Sequence, residues 1–128
     1  MNNKNLIVPG TVIISSYLDF EGKKRLGDFV VLYDEALDDA NNHKYNIVAI
    51  KITTSQKQLG AYTVPLTYDN KNTFFNESSF ACCSKLHVIN KAKVKGVLGV
   101  LDTETYLNIF KTFEKFQHEI SRQLISYL

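Results

Sequence analysis

The chain predicts a small, mainly β domain: a strongly bent antiparallel barrel followed by one long helix. Two observations carry this. Short apolar, β-branched runs recur between polar connections as far as residue 100, and from residue 102 the apolar residues switch to three- and four-residue steps. No repeated strand–helix alternation occurs, which argues against a doubly wound parallel sheet. At 128 residues the chain reads as one domain, 1–128. That length can enclose a core without disulfides or metals.

The first strand is predicted at 11–18 (TVIISSYL), after the turn pair Pro9-Gly10. The second follows Gly27 at 28–35 (DFVVLYDE). The third spans 45–54 (YNIVAIKITT), where Lys51 interrupts an apolar run. The fourth, 61–66 (AYTVPL), contains Pro65, which has no N–H to give to a ladder and so belongs at an edge or a strand end. Segment 78–94 (SSFACCSKLHVINKAKV) reads as one long bent strand or as two. Polar connections separate these runs, and 36–44 and 68–77 read as mobile loops. The barrel is thus expected over about 9–100. The helix is expected over about 102–126, with Asp102 as N-cap and Glu104 in the first turn. Tyr106, Ile109, Phe110, Phe113, Phe116, Ile120 and Leu124 form its apolar stripe, read mainly as core.

Composition narrows the function. The apolar fraction is 45% and the charged fraction 22%, as in soluble globular chains, and a net charge of +2 does not by itself specify nucleic acid. Residues 1–95 hold twelve Lys/Arg against nine Asp/Glu, whereas 96–128 hold three against four, so any basic surface belongs to the strand region. Cys82 and Cys83 are neighbours that a strand points to opposite faces; they read as two free thiols, which suits a reducing cytoplasm, and they lack the paired spacing of a zinc site. No signal peptide or membrane-spanning run is visible, so a cytoplasmic protein without membrane contact is expected. Glycine-rich nucleotide loops, a metalloprotease helix and a nucleophile elbow are all missing, and His43, His87 and His118 are scattered. No metal site and no cofactor is predicted.

What remains is a set of cations and hydroxyls at strand ends. EGKKRLGD (21–28) joins the first two strands and carries Lys23, Lys24 and Arg25; ITTSQK (52–57) ends the third with Thr53, Thr54, Ser55 and Lys57. Cations can stabilise charge building on phosphoryl oxygens, and hydroxyls can hold the same oxygens and orient an RNA 2′-OH. The same residues can equally form a solvated hairpin tip and a hydrogen-bonded turn. Lys91, Lys93 and Lys95, at two-residue spacing, would place three ammonium groups on one face of a strand. That face reads either as a phosphate-contacting stripe or as a charged edge that discourages aggregation. His87, between Leu86 and Val88, reads as a partly buried strand residue. Tyr17, Phe20 and Phe74 could stack on unpaired bases or serve the core.

The order of segments resembles the PemK/MazF superfamily, the endoribonuclease toxins of toxin–antitoxin systems. PGTVIISSYLDFEGKKRLGDFVVLYDE is similar to the family's opening strand, basic loop and second strand; NIVAIKITTS is similar to its strand ending in Thr/Ser; SFACCSKLHVINKAKVKGVLGVLDTETY is similar to its last strands and acid-capped helix. The family's Arg-Pro step reads Gly27-Asp28 here. The resemblance implies an SH3-like antiparallel barrel with a long C-terminal helix, commonly a homodimer. It implies metal-independent cleavage of single-stranded RNA through 2′-OH attack, leaving a 2′,3′-cyclic phosphate, under control of a protein or RNA antitoxin. Mapped onto this chain, it implies catalytic roles for Arg25 or Lys24 and for Thr53, Thr54 or Ser55. Lys23, Lys57, Lys85, Lys91, Lys93 and Lys95 would follow the RNA backbone. A catalytically inactive barrel serving as an RNA- or protein-binding regulator is the alternative.

Overall fold

The computed structural model describes residues 7–34, 46–54, 60–66 and 78–126. The expected loops at 36–44 and 68–77 lie outside the described residues, as do Ser55, Lys57 and Phe74. The described strands are β1 (Thr11–Leu18), β2 (Lys24–Asp34), β3 (Asn46–Thr53), β4 (Thr63–Leu66), β5 (Ser79–Asn90) and β6 (Val94–Val100), followed by helix α1 (Thr103–Ser126). They form one six-stranded sheet in the order β4-β5-β3-β2-β1-β6, every described pairing antiparallel. The protein is thus mainly β with one C-terminal helix. Among the described residues the sheet is not closed, which is consistent with the expected barrel-like fold: β4, which carries Pro65, and β6 are its two edges.

Both faces of the central strands are buried, which is why their sequences are almost continuously apolar. Successive side chains alternate between faces. Val12, Val30, Leu32, Ile50 and Ile52 face one cluster, completed by Ala81, Cys83, Leu101, Ile109 and Phe113. Ile13, Phe29, Val31, Ile47 and Ala49 face a second cluster, with Ile7, Ile89 and Val94. Helix α1 packs against β4 and β5 and closes the first cluster. The two cysteines are free thiols, both buried.

Asp102 caps α1: its carboxylate accepts from Thr105 N at 3.1 Å and Thr105 Oγ1 at 2.7 Å. Ile109 and Phe113 are the buried residues of α1. The stripe was expected to be mainly core, but Phe110, Ile120 and Leu124 are 37%, 39% and 61% exposed. The first half of the helix lies on the sheet, and its last turns carry no buried residue. No helix among the described residues is long and apolar enough to cross a membrane.

Two local expectations are corrected. Lys24 and Arg25 are not in a loop; they open β2, paired with Leu18 and Tyr17 of β1. A tight turn makes this extension of the hairpin possible. Asp19 Oδ1 accepts from Glu21 N at 3.0 Å and Lys23 N at 2.9 Å, and Gly22 supplies a φ of 82°. Nor do Lys91, Lys93 and Lys95 share one strand face. Lys91–Lys93 form a 3-10 turn between β5 and β6, and Lys95 lies in β6. Asn90 starts the turn by accepting from Ala92 N at 2.8 Å, carrying the chain from one side of the sheet to its far edge.

Candidate functional site

The second apolar cluster gives out towards the β1–β2 hairpin, and polar residues take its place on the same sheet face. Register explains which ones. Tyr17 pairs with Arg25, and Phe29 pairs with Lys51. Period-two alternation then puts Arg25 and Gly27 on the Phe29 side of β2, and Lys51 and Thr53 on the same side of β3. On β5 the ladder slips: Ile50 opposes Leu86, but Lys51 opposes Cys82, so residues 83–85 bulge out of the pairing. Beside this bulge, Lys85 and His87 turn to the same face. Tyr17, Leu18, Asp19, Phe20, Glu21, Arg25, Lys51, Thr53, Lys85 and His87 line one groove of about 570 Å³.

Aromatic rings form its floor. Tyr17 and Phe29 meet edge to face at 5.5 Å, and the His87 ring lies 5.6 Å from Tyr17 and 5.1 Å from Phe29. Lys51 Nζ sits 5.2 Å from the Tyr17 ring centre and 5.6 Å from that of Phe29, and donates to Ile52 O at 2.9 Å. Burial pulls the Lys51 ammonium below its ordinary pKa, partly opposed by Asp28. Burial first, then the charges of Lys51 and Lys85, pulls His87 below the ordinary imidazole value. Asp28 is raised, chiefly by burial. By alternation it lies on the other sheet face from Arg25, so it does not line the groove.

Arg25 occupies the rim. Its Nε donates to Asp19 Oδ2 at 2.6 Å, with side-chain exposures of 53% and 12%. Asp19 therefore braces the hairpin turn with one oxygen and Arg25 with the other. The hydrogen bond from Arg25 is the largest cause holding the Asp19 carboxyl below its ordinary range. Phe20, at the hairpin tip, is 99% exposed.

Of the residues singled out in the sequence, Arg25, Thr53 and Lys85, with the aromatics Tyr17 and Phe20, come together in the groove lining. Lys23, Lys24, Thr54, Lys91, Lys93 and Lys95 do not line it. Lys51 and His87 line the groove although the sequence gave them no site role, as do Leu18, Asp19 and Glu21. Lys51 had a visible signal, a cation inside the apolar run VAIKI. His87 had none beyond its place beside Leu86 and Val88. Among the described residues, no three His, Cys, Asp or Glu side chains converge as a metal would need.

No protein-family model matches the sequence, and no curated protein does. Solved structures do match in fold. An endoribonuclease from a mycobacterial species, in complex with its cognate antitoxin, superposes with a TM-score of 0.64 at 15% identity, over 85% of this chain and 92% of that one. A second mycobacterial endoribonuclease gives 0.61 at 16% identity, over 90% and 91%. The Mycobacterium tuberculosis toxin MazF-mt6 gives 0.58 at 18% identity, over 80% and 93%. The chain has the fold of MazF-like toxins.

Proposed function

We propose that the protein is an endoribonuclease toxin that cleaves single-stranded RNA in the groove between the β1–β2 hairpin, β3 and β5. The observation that carries this reading is the convergence of Arg25 and Thr53, from separate strands, on one groove that also holds Lys85 and His87. The shared fold with mycobacterial endoribonucleases supports it. Its partners would be RNA and an antitoxin, the latter as for the first of those neighbours. The protein would act in the cytoplasm, as a homodimer.

The chemistry is transphosphorylation without a metal ion. The RNA 2′-oxygen forms a bond to the adjacent phosphorus, the bond from phosphorus to the 5′-oxygen breaks, and a 2′,3′-cyclic phosphate remains. His87, kept neutral by burial and neighbouring ammonium groups, takes the 2′-hydroxyl proton. The departing 5′-oxygen takes a proton from solvent. Arg25 at the rim and the Thr53 hydroxyl hold the phosphoryl oxygens as their charge grows. Lys85 contacts a flanking phosphate, which makes binding salt-dependent. Tyr17 and Phe20 offer ring faces to unpaired bases.

One observation favours the second reading, a non-cleaving RNA- or protein-binding barrel: the Arg25 charge is already matched by Asp19. Purified protein incubated with single-stranded RNA in EDTA separates the two. Cleavage to cyclic-phosphate ends, lowered by about 100-fold in Arg25→Ala and Thr53→Val, is expected for the nuclease. RNA binding without any cleavage would overturn it in favour of the binding barrel.

A further inference from the structure

Gly27 has no side chain, and the space its Cβ would take is already occupied. A Cβ built there would lie 2.9 Å from Tyr17 Cε1, 3.0 Å from Lys51 Nζ and 3.3 Å from Lys51 Cε. The lysine therefore reaches across from β3 and lays its ammonium against the bare backbone of β2. Even an alanine at 27 would force the Tyr17 ring to shift and the lysine to give by a few tenths of an ångström.

Among the described residues the ammonium has few protein acceptors where it sits. A lysine has three N–H donors. Among the described residues the Ile52 carbonyl is its one hydrogen-bond acceptor, and the other contacts are the faces of Tyr17 and Phe29. A partly buried cation with donors to spare costs free energy unless an acceptor arrives. Among the described residues, the rings of Tyr17 and Phe29 lie below it. The open side is the groove, which Lys51 lines together with Arg25, Thr53, Lys85 and His87. Arg25 differs: it is half exposed, and its Nε is already given to Asp19.

We infer that Lys51, reaching into the space that Gly27 leaves open, is a catalytic residue of this groove, its ammonium binding the non-bridging oxygens of the scissile phosphate from the floor. The inference rests on the groove being the RNA site. The fixed carbonyl and the two rings hold the ammonium in place before substrate arrives, so little reorganisation is needed as charge develops. Thr53, two residues on and on the same face of β3, flanks the same phosphate. The charged and titratable groups around Lys51 are Asp28 on β2, Tyr17 on β1, and Cys82, Lys85 and His87 on β5.

The test uses two RNAs, one cleavable and one made uncleavable by 2′-O-methylation, with Lys51→Met and Gly27→Ala beside the wild type. Lys51→Met keeps the apolar stem and removes the charge; Gly27→Ala keeps the lysine and displaces it. Lys51→Met should lower the cleavage rate by about 100-fold, and Gly27→Ala should lower it by a smaller factor. Lys51→Met should also bind the methylated RNA about tenfold less tightly. The slope of log affinity against log salt should flatten by about 0.7, the value for one lost phosphate contact to a single strand. Lys111→Met, on α1 outside the groove, should change neither. If the wild type cleaves and Lys51→Met cleaves within twofold of it, with the salt slope unchanged, the lysine inference falls while the nuclease stands. If the wild type does not cleave but Lys51→Met still loses methylated-RNA affinity and salt slope, the nuclease falls and the phosphate contact stands. If the wild type neither cleaves nor binds, both fall.

Discussion

Replacing Ile109 with alanine should destabilise the protein by about 3–4 kcal/mol while leaving the groove intact. Ile109 is 0% exposed and, with Phe113, is what α1 buries against the sheet. The substitution removes three carbons from water-free surroundings, a transfer loss of about 2.4 kcal/mol at about 0.8 kcal/mol each. The strands beneath are held by their ladder hydrogen bonds and cannot collapse fully into the space, so a cavity term of about 1 kcal/mol is added. For a chain between the two size classes of thermal data this corresponds to about 10–20 °C in Tm. Differential scanning calorimetry reads it directly. Leu107→Ala is the control: it lies on the same helix but is 45% exposed, so it should cost only about 1 kcal/mol, well below the Ile109 loss. Affinity for methylated RNA at 20 °C should be unchanged, because the groove belongs to the opposite sheet face. A loss below about 1 kcal/mol would refute the claim that α1 is fastened through this residue, and a large affinity loss would refute the separation of the two faces.

Asp19→Ala should free Arg25 and leave the Glu21 and Lys23 amides unmet, so cleavage measured by a fluorogenic RNA should fall about tenfold. His87 is held below its ordinary value of 6.5, so below that pH the unfolded chain binds more protons than the folded one. Stability should therefore be complete above 6.5 and decline as pH falls, with a shallower decline in His87→Gln by urea titration at pH 7.5 and 5. Burial pushes the Cys83 thiol from 9.0 up to about 12, so the folded chain keeps a proton that the unfolded chain loses. Stability should drop as pH rises above 9, less steeply in Cys83→Ala, and iodoacetamide should label Cys83 only on unfolding.

Much of the architecture is legible because burial on both faces writes itself into β1 and β3 as apolar runs with clear ends. The start of β2 was not legible. KKR looks like a solvated loop, and only the carboxylate of Asp19, folded back on two amides, lets the hairpin ladder continue through it. Asn90 likewise gives no sign in the sequence that it breaks the Lys91–Lys95 run by capping a 3-10 turn. At the site, Arg25 and Thr53 could be named from their residue types and strand-end positions. Lys85 and His87 owe their direction to the slip between Leu86 and Cys82, a property of pairing that no local pattern encodes.

The cations of this chain carry unequal information. Lys23, Lys24, Lys93 and Lys95 are exposed, so water solvates them and almost any polar residue would serve the fold there as well. Lys51 is different. Its strand neighbours Ile50 and Ile52 are buried at 0% and 4% exposure, and its own ammonium is depressed by burial. A leucine or methionine at 51 would pack against Tyr17 and Phe29 without that desolvation cost, so packing alone does not account for the lysine. Gly27 makes the same point from the opposite strand: a valine would suit a strand better, yet glycine is what the lysine's approach requires. Two residues, each unfavourable for its own strand, fit one another across the ladder, and such paired departures from local preference mark a place where the fold gives up stability for function.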